Sequence, residues 1–483
     1  MSLPQLEAII GLEVHAQMNT KTKMFCGCDN DAFGKEPNTT VCPVCMGHPG
    51  TLPAPNASAI EKAIRASLAI GCSIAPDCHF DRKHYFYPDL PYGYQISQYD
   101  FPLGKAGSVR YDLRDSSGRK TGEMICGITR LHMENDAGKL SHYGSSTLCD
   151  YNRAGTPLME IVTEPDLRNS DEAVAFAQEL RRILIAVDAS DADMFKGMMR
   201  FDASISLREK GTEKLNPRSE IKNLNSFKAL EKALQYEEKR LRELWAETGG
   251  PLKGNITVGW VDDEERTRML RDKEDAQDYR YFPEPDIPPL HFEEKEIEDI
   301  KQCLPMLPRA RREGYVAQGL EEAQALQLVD DPVLLSIFDA VLQKTKDIKR
   351  TSGIVLTQLL GFLKAEEKTV ADGPNADAML ELVEAIDSGT ISGNTGKDVL
   401  LMMIQTGKGA NAIIEEQGLK QISDDSALET LVAQAIKENE KSVADFKAGK
   451  QAAFGALVGY VMKQTKGQAN PQKVNELLRK ALQ

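Results

Sequence analysis

From Ala8 to Met18 the chain reads AIIGLEVHAQM, and Ile10, Leu12, Val14, Ala16 and Met18 recur at every second position. That period is the signature of a β-strand with one apolar face, and it leaves Glu13, His15 and Gln17 together on the other. GITRLHMEND, from Gly127 to Asp136, predicts a second such strand, with Arg130, His132 and Glu134 on one face, Ile128 in register with them, and Leu131 and Met133 opposite. RFDASISLR predicts a third, with Asp202 opposed to Phe201, Ala203, Ile205 and Leu207. The run from Leu158 to Val162 reads as a buried strand carrying one carboxylate, Glu160. Asp150 and Asn152 favour a turn before it, Gly155 opens backbone angles closed to other residues, and Pro157 pushes Thr156 into an extended conformation. A lone Glu among Leu, Met, Ile and Val is costly unless a cation or a donor network meets it.

The pattern changes near Pro289. Beyond Pro332 the apolar residues follow a helical period: Leu334, Leu335, Ile337, Phe338, Val341 and Leu342, then Val355, Leu356, Leu359, Leu360 and Leu363. Gly407 to Asn411 marks a second break, and Asn470-Pro471 starts a last helix with proline in its first turn. The expected organisation is a mixed α+β domain over 1–293 with a cysteine-bearing insertion at 26–45, an all-α helical domain over 294–406, and a small helical tail over 407–483.

Charge alters this picture only when read by region. The 483 residues sum to -14, which argues against a nucleic-acid partner for the chain as a whole. Val443 to Gln483, however, holds seven Lys or Arg against two Asp or Glu, a local +5 that leaves -19 for the rest. Lys447, Lys450, Lys463, Lys466, Arg479 and Lys480 in that segment could meet phosphates without reading bases, or form a solvated helix face. No apolar run approaches the length of a membrane span, and MSLPQLEAII lacks the basic start of a targeting peptide, so the expected location is the cytoplasm.

Cys26 and Cys28 form a CxC pair, Cys42 and Cys45 a CPVC pair, and polar loop formers separate them. Two close pairs so placed supply the four thiolates of a closed, structural zinc site, with His48 able to replace one ligand. Cys72, Cys78, Cys126, Cys149 and Cys303 are scattered and read as small apolar residues. Glu13 with His15, and His132 with Glu134, are each compatible with the polar outer face of a surface strand. Taken with Glu160 they point to a metal and phosphate site, since hard oxygen ligands plus imidazole suit Mg²⁺ that retains several waters. No common nucleotide-binding consensus is present: Gly393-Asn394-Thr395-Gly396-Lys397 has the wrong spacing and runs into Asp398.

CDYNRAGTPLMEIV, from Cys149 to Val162, closely resembles the signature of the B subunits of aspartyl/glutamyl-tRNA amidotransferases. The resemblance extends through GLEVH, FDRKHYFYPDLPYGYQISQYD, LHME, RFDASISLR, EIKNLNSF and DYRYFPEPDIPPL, nearly the length of the chain. It implies a cradle-like catalytic domain, with helical and tail domains behind it. No extra domain follows Pro289, which resembles the bacterial B type rather than the archaeal E type. The family's site maps to Glu13, His15, Lys83, Glu134, Glu160 and Asp202, with His15, Glu134 and Glu160 toward Mg²⁺, and with Lys83 and Tyr87 near the pocket and ammonia route. Most relatives read M-E-E-D where this chain has Met133-Glu134-Asn135-Asp136, which leaves open whether Glu134, the amide oxygen of Asn135, or both approach the metal.

The implied activity is that of a ligase. ATP phosphorylates the side-chain carboxylate of Glu-tRNA(Gln) or Asp-tRNA(Asn), and ammonia displaces the phosphate. The chain carries no recognisable glutaminase nucleophile, so ammonia is expected from an amidase A subunit, with a small C subunit completing a heterotrimer. The rival expectation is a noncatalytic, zinc-stabilised tRNA-binding or assembly protein.

Overall fold

The computed structural model describes residues 5–272, 279–421, 425–447, 450–465, 469 and 471–482. The chain divides into two compact units, 1–312 and 313–483.

Strand Leu6–Gln17 is the middle member of a nine-stranded sheet. On one side it pairs with Met199–Glu209, followed by Ser219–Leu224, Ile256–Val261 and Arg266–Asp272. On the other it pairs with Pro157–Thr163, followed by Lys120–Asn135, Gly104–Arg114 and Ser73–Ile74. Neighbours are antiparallel except Ser219–Leu224 with Ile256–Val261, which are parallel and joined through the helix Phe227–Thr248. A parallel pair requires such a crossover.

The period-two pattern divides the sheet's faces as expected. Leu12, Val14, Leu131, Met133, Met159, Ile161, Phe201 and Ala203 are buried in one apolar core with residues of helices Ala57–Ala69, Ser170–Ala186 and Phe227–Thr248. Each helix starts on a side chain that accepts backbone N–H bonds of its first turn, from Asn56, Asn169 and Ser226 respectively. With one face committed to this core, the charged residues of the same strands are forced to share the other.

One strand departs from simple alternation. Pairing steps from Val162 opposite Arg130 to Thr163 opposite Ile128, so Thr129 is an extra residue on its strand. A one-residue slip exchanges faces. Ile128 therefore turns into the core at 1% exposure instead of standing beside Arg130 and His132, and the Thr129 hydroxyl donates to Glu164 at 2.7 Å.

The first unit continues beyond Pro289. Phe292, Ile300, Leu304 and Leu307 pack against its core, and Arg312 is buried between Glu179, at 2.9 Å, and Asp112, at 3.4 Å. The second unit holds two apolar clusters. One collects Leu334, Ile337, Phe338, Val341, Val355, Leu359 and Leu363, and takes in Ala410, Ile413 and Ile414 of the helix Ala410–Glu416. The other is built from Leu428, Val432, Ala435, Leu457, Val461, Val474 and Leu478. No helix among the described residues is long and apolar enough to cross a membrane.

Candidate active site

The apolar strand's single carboxylate is met by two imidazoles. Glu160 is the cross-strand partner of His15 on one side and of His132 on the other. Its carboxylate lies 3.3 Å from His15 Nε2, 3.6 Å from His132 Nε2 and 3.9 Å from Arg130. Two residues along from His132, Glu134 lies 3.7 Å from His132 Nε2 and accepts from the Ser97 hydroxyl at 3.2 Å. One ligand atom each from His15, Glu134 and Glu160 falls within 4.8 Å of the others. A three-strand register thus gathers residues from three distant segments into one row.

Electrostatics follow from that packing. Burial opposes the Glu160 carboxylate, but His132, the His15 hydrogen bond and Lys83 outweigh it and hold its pKa well below the usual carboxylate range. Burial likewise opposes the His15 imidazolium, yet Glu160 and Glu134 keep it protonated to higher pH than an ordinary histidine. Glu134 is lowered because His132 and Lys83 outweigh its burial. Lys83, from the strand Asp81–His84, keeps its proton because Glu134 and Glu160 more than offset its desolvation. Its ammonium also stands 5.0 Å from the centre of the Tyr279 ring.

A second acidic set adjoins the first on the same face. Glu13 is cross-strand partner to Asp202, and with Glu220 the three place carboxylate oxygens within 4.8 Å. Glu13 is raised by burial first, then by Glu160, Glu220 and Asp202. Lys222 bridges Glu220 at 2.7 Å and Asp202 at 3.3 Å. Two cavities are lined in part by these charged residues. One of about 590 Å³ is lined by Lys83, Tyr85, Tyr87, Glu220, Lys222 and Tyr279. The other, of about 320 Å³, is lined by Glu13, Gly11, Ser204, Ser206, Asn216 and Arg218.

Asn135 is not brought into either set. Its side-chain oxygen accepts from the Ile96 backbone N–H at 2.8 Å, because alternation turns it away from Glu134. The neighbouring Asp136 is buried between Gln17 at 2.9 Å, Arg200 at 3.2 Å and Arg153 at 3.7 Å. Burial opposes its charge, but the two guanidinium groups hold it far below the carboxylate range. Sequence reasoning grouped His132 and Glu134 with Glu160 but did not single out Arg200, Glu220 or Lys222. The signal for Arg200 was available, since it falls two residues before Asp202 in an alternating strand.

Cys26, Cys28, Cys42 and Cys45 place their sulfurs within 4.8 Å of one another, and His48 is not in that group. The segment from Cys42 folds as a knuckle: Met46 N–H donates to the Cys42 carbonyl at 3.0 Å, Gly47 adopts φ 65, and the Cys42 N–H donates to Cys45 Sγ at 3.2 Å. Asn152 ties this loop to the turn before Glu160, accepting from Thr40 N–H at 2.8 Å and donating to the Glu36 carbonyl at 2.7 Å. Gly155 has φ 90, as that turn requires. In the tail, Lys447, Lys450, Lys463, Arg479 and Lys480 are exposed, with Lys450 paired to Asp445 at 3.0 Å and Arg479 over the Phe454 ring at 5.6 Å. Lys466 lies outside the described residues.

The profile of the GatB/GatE catalytic domain matches residues 8–298, the whole span that builds this charged face. The chain belongs to the GatB/GatE family. The profile of a second GatB domain matches residues 336–482. Among relatives, the B subunit of the aspartyl/glutamyl-tRNA(Asn/Gln) amidotransferase of Caldanaerobacter subterraneus subsp. tengcongensis is 45% identical over 479 residues, covering 99% of both chains. The B subunits of the same enzyme from Carboxydothermus hydrogenoformans, 43% identical over 485 residues, and Moorella thermoacetica, 44% identical over 484, cover at least 99% of each chain. In this GatB-family chain the charged row, the second acidic set and the four-cysteine loop all fall within the catalytic profile.

Proposed function

We propose that the charged face of the nine-stranded sheet is the phosphoryl-transfer site of a tRNA-dependent amidotransferase. The chain acts as the B subunit of that ligase, converting Glu-tRNA(Gln), Asp-tRNA(Asn) or both to the amidated forms. The observation that carries the reading is Glu160 set between His15 and His132, with Glu134 beside them.

The donor set fits a hard divalent cation, since two carboxylates and an imidazole converge and the buried Nδ1 atoms of His15 and His132 have no protein partner. His15, Glu134 and Glu160 would hold Mg²⁺, and Glu13, Asp202 and Glu220 form a second acidic set beside it. Bound there, the ion would offset charge on the transferring phosphoryl group. A carboxylate is a poor electrophile until one of its oxygens becomes a leaving group, which is why ATP must phosphorylate the aminoacyl side chain before ammonia attacks. Lys83, on the wall of the larger cavity, orients the reacting carboxylate and phosphoryl oxygens by charge, and Tyr279 and Tyr85 limit water around it. The cysteine loop holds Zn²⁺ as a structural centre. The basic tail receives tRNA phosphates, ammonia comes from an amidase A subunit, and a small C subunit completes the complex in the cytoplasm.

The test is to purify the complex with its amidase partner and assay each charged tRNA for amide formation with ATP and glutamine. Tight tRNA binding with neither tRNA-dependent ATP hydrolysis nor amidation would replace this reading with that of a noncatalytic binding protein.

A further inference from the structure

Lys23 is fully buried, and nothing in the reaction above uses it. A lysine is almost never wholly buried unless paired. Its ammonium has Cys45 Sγ at 3.8 Å and the Tyr151 carbonyl oxygen at 3.4 Å, and no carboxylate pairs with it among the described residues. Local structure holds it there. The Lys23 N–H donates to the Cys28 carbonyl at 3.0 Å, and the Met24 N–H to the Gly155 carbonyl at 2.8 Å. Gly155 lies so close over the stem that an added Cβ would stand 3.3 Å from Cys45 Cβ and 3.4 Å from Lys23 Cδ.

A neutral thiol offers this ammonium no counter-charge. Four thiolates around Zn²⁺ do, because together they carry two net negative charges. A buried dianion of that kind needs a cation or several donors close by, and partners one shell out from a metal tune how firmly it is held. The Cys42 N–H supplies one donor to Cys45 Sγ, at 3.2 Å. No other side-chain cation is hydrogen-bonded to these sulfurs among the described residues.

We infer that Lys23 is the internal counter-cation of a zinc tetrathiolate centre and, through the Tyr151 carbonyl, a positioning residue for the turn that leads into the Glu160 strand. This rests on reading the four cysteines as a zinc site. Charge balance and loop anchoring are combined in one side chain: the ammonium sits between the sulfur of one loop and the backbone of the other. Zinc occupancy and the approach to Glu160 are thereby coupled.

The test compares full-length wild type with Lys23→Met, which keeps the chain length without the charge, and with Lys23→Gln, which keeps a donor without the charge. Two quantities are read: the rate of zinc transfer to excess chelator, and the thermal unfolding midpoint of the zinc-loaded and zinc-stripped forms. Both substitutions should speed zinc release at least tenfold and lower the midpoint of the loaded form. The stripped form should be unchanged or more stable, because there the substitution removes a buried charge that has lost its partner. Equal lowering of both midpoints, as a purely packing role would give, overturns the inference, as does wild-type zinc retention in Lys23→Met. If Lys23→Met does not fold, Lys23→Gln decides alone: slow, wild-type release would assign the effect to the hydrogen bond and sink the charge argument. Wild type that binds no zinc at all would remove the zinc reading itself, a distinct outcome.

Discussion

Replacing Glu160 with Gln probes the centre of the charged row with little change of shape. The carboxylate faces His15 at 3.3 Å, His132 at 3.6 Å and Arg130 at 3.9 Å, so the substitution removes the negative charge that these three side chains surround. Breaking one side of a buried ion pair costs about 3–5 kcal/mol, and the metal-free protein should lose stability on that scale. The pH window follows from the shifts. Glu160 is lowered in the fold, so its contribution is present above the unfolded value of about 4.3 and is lost as pH falls through the folded value. His15 is raised, so its contribution is complete below about 6.5 and is lost as pH rises through its folded value. The stability gap between wild type and Glu160→Gln, measured by denaturant unfolding in chelator, should therefore be widest between those limits and narrow on either side. In the assembled enzyme, tRNA-dependent ATP hydrolysis and amide formation should fall about a thousandfold, roughly 4 kcal/mol of transition-state stabilisation, while glutamine hydrolysis by the amidase partner persists at least in part. Near-normal ATP-dependent amidation by a folded Glu160→Gln complex would refute the proposed pocket.

Three further outcomes are expected. Cys42→Ser should lose zinc by metal analysis and unfold at lower temperature, since structural zinc binding in small domains is worth roughly 10–16 kcal/mol; full zinc content with an unchanged midpoint would contradict the metal centre. Ending the chain after Gln421, beyond the helix Ala410–Glu416 that belongs to the preceding core, should leave the catalytic unit folded while weakening tRNA binding. The salt dependence of that binding should become shallower by about 0.7–0.9 per lost phosphate contact, and equal affinities of intact and shortened chains at low and high salt would rule the tail out. Asp136→Asn should destabilise the fold by about 3 kcal/mol at neutral pH by stranding Arg200; because Asp136 is lowered in the fold, the gap should begin to close below about pH 4 and go on closing toward the depressed folded value, so a gap unchanged down to about pH 2 would count against the pairing.

Much of this was legible from local pattern. A period of two in Ile10 to Met18 and in Phe201 to Leu207 needs only the geometry of an extended backbone, so the strands and the sharing of a face by Glu13 and His15 could be read without neighbours. The turn before Glu160 was likewise local, because Gly155 and Pro157 act on their own dihedral angles, and the spacing of the two cysteine pairs pointed to a cluster of four sulfurs that could hold a metal ion. What the chain could not disclose locally was adjacency. Glu160 has a partner on each side only because its strand lies between Leu6–Gln17 and Lys120–Asn135, and that order is set by burying every apolar face at once. Register behaves in the same way: the extra Thr129 sends Ile128 inward, and alternation sends Asn135 to the Ile96 backbone while Glu134 joins the row. Lys23 reads in sequence as one more loop lysine, and its burial against Cys45 exists only once two loops more than a hundred residues apart close over it. Periodicity and turn chemistry are properties of neighbouring residues, whereas pairing order, register and burial minimise free energy over the whole chain. The face of each charge was thus settled locally, and its partner by the tertiary fold.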